Sequence, residues 1–170
     1  MSDATRLARQ TPVSVCATLL PIDPLLVDQD ADPLSIVRTA AARPETRLIG
    51  VVDSSGVLVG VLPTLRLAET VVARVSPETL LAGLADLDEA ARFGHEVGAR
   101  RVSDVMLPAA SIKGTATVDE AFRLMHARHL SGLYVVDDAD RPTAYLDLLE
   151  VSIRYLEALE AVEASPPAAD

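Results

Sequence analysis

Apolar and polar positions along the chain fall into two stretches with the same succession of periods. In "LIGVVDSSGVLVGVLPTLRLAE", Leu48 to Glu69, an apolar run meets the polar turn "DSSG". A second apolar run follows, and the spacing then lengthens to that of a helix. The stretch "GLYVVDDADRPTAYLDLLEV", Gly132 to Val151, repeats this order 84 positions later, with Val51 falling on Val135, Val52 on Val136 and Asp53 on Asp137. Repetition at a fixed offset points to one supersecondary unit built twice.

The remaining elements fit the same scheme. In the first half a short strand is predicted at Leu25 to Val27, and Asp32 caps a helix opening on Pro33, the helical position where a missing N–H costs nothing. Leu34, Val37, Ala40 and Ala41 give that helix one apolar face as far as the break "RPET". Strands at 47–52 and 57–62 flank "DSSG", and from Thr64 the set Leu67, Ala68, Val71, Val72 and Val75 restores the helical period. In the second half Ser111 and Ile112 form a stub of strand, and "TVDE" is a capping box opening a helix with Val118, Ala121, Phe122 and Met125 on one face. Strands at 132–136 and 142–146 and a helix from Leu148 to about Val162 complete it.

Each half therefore reads strand, helix, strand, strand, helix. The fold class is mixed α+β: two pseudo-symmetric β-α-β-β-α repeats forming one module. The organisation is an N-terminal arm (1–12), a first repeat (13–75), a helical insertion with its own cap at Ser76 (76–101), a second repeat (102–162) and a small, Pro-containing tail (163–170) expected to be disordered.

Composition narrows the function. The chain has 170 residues, 49% hydrophobic and only 3% aromatic, so its core is expected to be mainly Ala, Val and Leu. A net charge of -10, with 15 scattered basic residues, disfavours phosphate backbones and argues against nucleic acid as a partner. Cys16 is the single cysteine, so no intrachain disulfide can form. No apolar run approaches the roughly 20 residues that span a bilayer, and "MSDATRLARQ" has no apolar leader core. A soluble, cytoplasmic protein without membrane insertion is expected. There is no G-x-S-x-G, P-loop or G-x-G-x-x-G, so no enzyme is expected either.

"VSDVMLP", Val102 to Pro108, together with "VDEAFRLMHARHLSGLYVVD", resembles the entry segment, helix and central strand of a CBS (cystathionine beta-synthase) domain. The whole order resembles a tandem CBS pair, or Bateman module, over about Val13 to Leu159. Such a resemblance implies two copies fused about a pseudo-twofold and two clefts that hold adenosine-containing ligands of the AMP, ATP or S-adenosylmethionine type. It also implies association as a homodimer and control of an effector protein that the sequence does not identify. The family's ligand signature is glycine, two apolar residues, Thr or Ser, any two residues, then Asp, which meets the ribose hydroxyls.

Both halves depart from that signature. In the second copy Ala144 stands for the glycine, Asp147 for the hydroxyl residue and Glu150 for the ribose-binding acid. In the first copy Gly60 is kept, Pro63 replaces the hydroxyl residue and Arg66 reverses the charge of the acid. The ligand-binding set implied is Glu150, Asp147, Tyr145, Ile112 and Lys113 for the second copy, with Arg66 and Thr64 for the first. Asp147-x-x-Glu150 equally resembles a capping box. Asp147 also sets a negative charge where a helix start would welcome an anion, so adenosine or S-adenosylmethionine is expected to bind better than ATP. His126 and His129 lie at i, i+3 but lack a third ligand, and no metal or other cofactor is expected to be required. The expected function is a regulatory module sensing an adenosine-type ligand. The alternative is a ligand-free dimerisation or partner-docking scaffold with degenerate nucleotide sites.

Overall fold

The structure, a computed structural model, describes residues 9–19, 22–78 and 86–163. The expected arm up to residue 8, residues 79–85 of the insertion and the tail from residue 164 lie outside the described residues. The elements are α1 (Val13–Leu19), β1 (Leu26–Asp28), α2 (Pro33–Ala41), β2 (Leu48–Val52), β3 (Leu58–Pro63), α3 (Thr64–Val75) and α4 (Leu87–Gly98). A 3-10 turn at Val102–Asp104 precedes β4 (Leu107–Pro108), β5 (Ser111–Lys113), α5 (Val118–Arg128), β6 (Gly132–Val136), β7 (Pro142–Asp147) and α6 (Leu148–Glu163).

The repeat is visible atom by atom in the hairpin turns. Asp53 Oδ1 accepts from the amides of Ser55 (2.8 Å) and Val57 (3.0 Å), and Asp137 Oδ1 accepts from Ala139 and Arg141 (both 2.9 Å), the same positions one offset later. Gly56 (φ 81°) and Asp140 (φ 57°) occupy the same left-handed place in the two turns, which glycine adopts without strain and aspartate tolerates. The caps also follow the sequence pattern. Asp32 accepts from the Leu34 amide, and Thr117 and Glu120 form a reciprocal capping box.

The strands form two sheets, β1-β2-β3-β4 and β5-β6-β7. β4 comes from the segment that leads into the second half, yet it pairs antiparallel with β3 of the first, Gly60 opposite Pro108. A Cβ at Gly60 would run into Met106 and the Leu107 carbonyl, so the glycine is what lets this fourth strand approach. The N-terminal segment crosses the other way: Val13 N–H donates to Ala116 O (2.7 Å) and Ser14 N–H to Gly114 O (3.0 Å), seating α1 on the second half. Each half is thus completed by a segment that local sequence order would give to its neighbour. In the insertion, α4 is capped by Asp86, and Ser76 ends α3 and donates to Glu78.

One apolar core joins the halves. Leu48, Leu58 and Val61 of the first pack with Leu133, Tyr134, Tyr145, Leu146 and Val151 of the second, while Ile36, Ile49, Leu62 and Leu67 form a separate cluster with Val102 and Val105. Each fully buried side chain of this kind contributes roughly 1.5–3 kcal/mol. An exposed ion pair contributes about 0–1 kcal/mol, so the apolar seam carries the association. At its centre Tyr134 lies over Gly50, its own repeat equivalent. A Cβ there would sit 2.7 Å from the ring, so one face must stay bare for the other to bury its aromatic side chain. The Tyr134 hydroxyl lies 2.9 Å from both Leu25 O and Leu48 O, tying β6 to the first sheet.

Candidate functional site

Both repeats end by passing from a strand into a helix without a loop, and both fix that bend with one backbone bond. Thr64 N–H donates to Arg47 O (3.1 Å) in the first half, and Leu148 N–H donates to Ser131 O (2.8 Å) at the equivalent place in the second. The side chains then diverge.

At the second bend Asp147 has no exposed surface, and all its partners are protein donors. Oδ1 accepts from the amides of Leu149 (3.0 Å) and Glu150 (3.4 Å) and from the Arg47 guanidinium, while Oδ2 accepts from the Tyr145 hydroxyl (3.3 Å). Arg47 comes from the first half and is 40% exposed, against 0% for its carboxylate partner. Burial, then the neighbouring Asp147 charge, pushes the Tyr145 phenol well above its ordinary range. Burial does the same to Tyr134, whose ring lies 5.3 Å from that of Tyr145. Both phenols therefore stay protonated and act as donors.

These contacts redistribute the residues singled out in the sequence. Asp147 and Tyr145 are sealed inside the bend and can act on a ligand only through Arg47 and the helix start. The expectation that Asp147 repels a phosphate loses its premise, because the exposed group at this place is the guanidinium. Thr64 joins the same assembly by donating from its hydroxyl to Arg47 O (3.3 Å). Glu150 is half-buried, and no donor among the described residues pairs with its carboxylate.

Lys113 lies elsewhere. It pairs with Val136, whereas Asp147 pairs with Gly132 at the opposite end of β6, about 13 Å away along the strand. Its ammonium is held by Asp137 O (2.5 Å) and Asp140 Oδ1 (2.8 Å), and Ile112 beside it packs against the core. Arg66, in α3, has a buried Nε without a partner among the described residues. At its bend Pro63 supplies no side-chain cap.

Three cavities adjoin the second bend. One, of about 310 Å³, is lined by Arg47, Ser131, Leu148, Leu149 and Ser152. It shares Ser131 and Leu148 with a second, of about 520 Å³, that reaches Phe122, His126 and His129. That in turn shares Leu130 with a third, of about 460 Å³, between Leu107, Ala109 and Arg128. None of the three is lined by Glu150, Asp147, Tyr145, Ile112, Lys113, Arg66 or Thr64. Arg47 is the residue the sequence does not announce, since it sits at the edge of the "RPET" break, 100 positions from its partner. His126 and His129 have ring centroids 6.4 Å apart, and among the described residues no cluster of three His, Cys, Asp or Glu side chains could hold a metal ion.

The family model of the CBS domain matches residues 102–152, which takes in the second bend and all of β6 and β7. Among solved structures, a CBS domain-containing protein of Thermotoga maritima is 20% identical with a TM-score of 0.67, covering 87% of this chain and 96% of that one. A CBS domain pair in complex with 5′-methylthioadenosine and S-adenosyl-L-methionine is 17% identical with a TM-score of 0.60, covering 85% and 99%. A CBS-pair protein of Arabidopsis thaliana is 18% identical with a TM-score of 0.59, covering 88% and 96%. The chain has the fold of a tandem CBS pair. No curated protein matches it. Within this CBS pair the crossed entry segments and shared core make the two repeats one module, and no described helix is long and apolar enough to cross a membrane.

Proposed function

We propose that this CBS pair is a cytoplasmic regulatory module, without catalytic activity, that binds an adenosine-containing ligand beside the second bend and passes its occupancy to a partner protein. The observation that carries this reading is the set of three neighbouring cavities around Leu130, Ser131 and Leu148, with Arg47 brought to one of them from the other half. The complex of a similar CBS pair with 5′-methylthioadenosine and S-adenosyl-L-methionine supports the ligand class.

Assembly as a homodimer belongs to the same proposal. α3 exposes Leu65 (70%) and Val75 (70%), and α6 exposes Leu149 (52%) and Leu156 (56%). Leu65 and Leu149 are repeat equivalents, as are Ala68 and Ser152, and Val72 and Leu156. The seam spaced 65, 68, 72, 75 on α3 therefore recurs on α6 at 149, 152 and 156, with the three-and-four spacing of helix packing. The seam takes Ala68, Val72 and Val75 from the apolar set of the sequence pattern, whereas Leu67 and Val151 are buried in the core. Leu149 lines both the seam and the Arg47 cavity, so ligand occupancy and association are coupled there. Light scattering is expected to give a dimer that Leu149→Glu converts to monomer; a monomeric wild type at micromolar concentration contradicts this part.

A second reading, a ligand-free docking scaffold, is favoured by one feature: the polar atoms of Asp147 are already satisfied within the chain. Ultraviolet absorbance of the supernatant after denaturing the purified protein separates the two. A released adenine chromophore, or saturable adenosine binding to protein stripped of it, is expected for the sensor. Clean protein that binds no adenosine compound leaves the scaffold.

A further inference from the structure

Two side chains belong at once to the Arg47 cavity and to the helical seam: Leu149, which is 52% exposed, and Ser152, also exposed. The cavity is about 310 Å³, at the lower edge of ligand pockets, which run roughly 300–1,000 Å³ and bury most of what they hold. With two of its five lining residues turned to the surface, a single chain leaves one side of it unwalled. We infer that a second copy of this chain supplies that wall, so that the ligand site is complete only in the dimer. The inference rests on the adenosine reading above and adds how that site is regulated: association of two chains controls binding.

The seam suits a second copy in both charge and shape. Charged residues make up 24% of the chain, yet none occurs at positions 65, 68, 72, 75, 149, 152 or 156. Leu65 and Val75 are each 70% exposed and Leu156 is 56% exposed, so the uncharged stripe is open along both helices. Because α3 and α6 are repeat equivalents, two copies related by a twofold offer each other the same three-and-four spacing, and no charge of the seam is buried where they meet. A helix laid on 149, 152 and 156 covers the open side of the cavity, because Leu149 and Ser152 form that side. The polar groups there already have partners. Ser152 Oγ donates to Leu148 O (2.7 Å), and Arg47 donates to Asp147, so covering strands neither the hydroxyl nor the cation.

Analytical ultracentrifugation and equilibrium dialysis of the full chain, with adenosine and 5′-methylthioadenosine as probes, test this. Sedimentation fixes the midpoint of dimer formation, and binding is then measured at protein concentrations below and above it. The dimer is expected to bind at least one probe about tenfold tighter than the monomer, within the usual range for coupled sites, and saturating probe should tighten the dimer in return. Val75→Glu and Leu156→Glu, which place a charge in the seam and line none of the three cavities, should each give a monomer with the weaker affinity. The concentration series needs no substitution, so it decides the matter if either variant fails to fold. Equal affinity below and above the midpoint overturns the inference alone, as does a folded monomeric variant that binds like the wild type. A wild type that binds while remaining monomeric overturns it together with the homodimer. A dimer that binds neither probe overturns it together with the adenosine reading.

Discussion

The bend after Pro63 and the bend after Asp147 share a backbone and differ in the side chains that finish it. In both, the first amide of the helix donates to the carbonyl that precedes the central strand. In the first, the capping position is a proline with no acceptor to offer. In the second it is a buried carboxylate that takes two helix amides, a phenol and an arginine from the other repeat. The two copies share the backbone bond that the turn requires and differ in the polar atoms around it. The result is one bend that only turns the chain and one that also gathers the two halves around a set of cavities.

The sharpest way to break the comparison is Arg47→Met. It strands the Asp147 carboxylate without its cation and should cost roughly 3 kcal/mol in denaturant unfolding, the low end for a broken buried pair because Arg47 is partly exposed. Adding Asp147→Asn should restore most of the loss, since asparagine caps a helix nearly as well. No such rescue would mean that the pair is incidental. Next in size is Gly50→Ala, whose Cβ must push against the Tyr134 ring and Leu26 and should cost about 1–3 kcal/mol in thermal or chemical unfolding. A neutral result would show that the two repeats do not interlock at this point.

The central strands and hairpins were legible because alternation, the turn residues at Asp53 and Asp137, and the caps at Asp32 and Thr117 act within a few residues of themselves. β2, β3, β6 and β7 lie within one residue of the pattern. The crossed segments were not legible. That β4 joins β3, or that Val13 seats on the second half, is decided by backbone pairing between distant stretches, which leaves no local period. The candidate site divides along the same line. Asp147 as a cap could be read from its place before a helix, but Arg47 could not, because its role exists only once β2 and β7 are brought together. That Lys113 lies at the other end of β6 from Asp147 was not legible for a related reason: its position one strand away says nothing about which end of β6 it serves.

A smaller effect sharpens the contrast from the other side. Pro63→Ser would give the first bend the side-chain acceptor it lacks and should raise stability by about 1 kcal/mol, seen as a higher denaturant midpoint. No gain would mean that the amides there are already satisfied by water.

Smallest of all are the hairpin turns, where the halves agree. The Ser55 hydroxyl, then the Val57 amide, hold the Asp53 carboxyl below its ordinary value. A depressed folded value gives stability that is present above the unfolded carboxylate value, near pH 4, and is lost as the pH falls through the folded one. Asp53→Asn should therefore slightly flatten the acid limb of a melting profile and lower the neutral-pH melting temperature by a little more than Asp137→Asn does, since Ala139 stands where Ser55 donates its hydroxyl to Asp53. A larger loss in Asp137→Asn would contradict this.

The most direct measurement is the stoichiometry of adenosine monophosphate binding to ligand-free wild-type protein by calorimetry. Because the described cavities gather beside the second bend, the account predicts one site per chain. Two equivalent sites per chain, or no saturable heat at all, would contradict it.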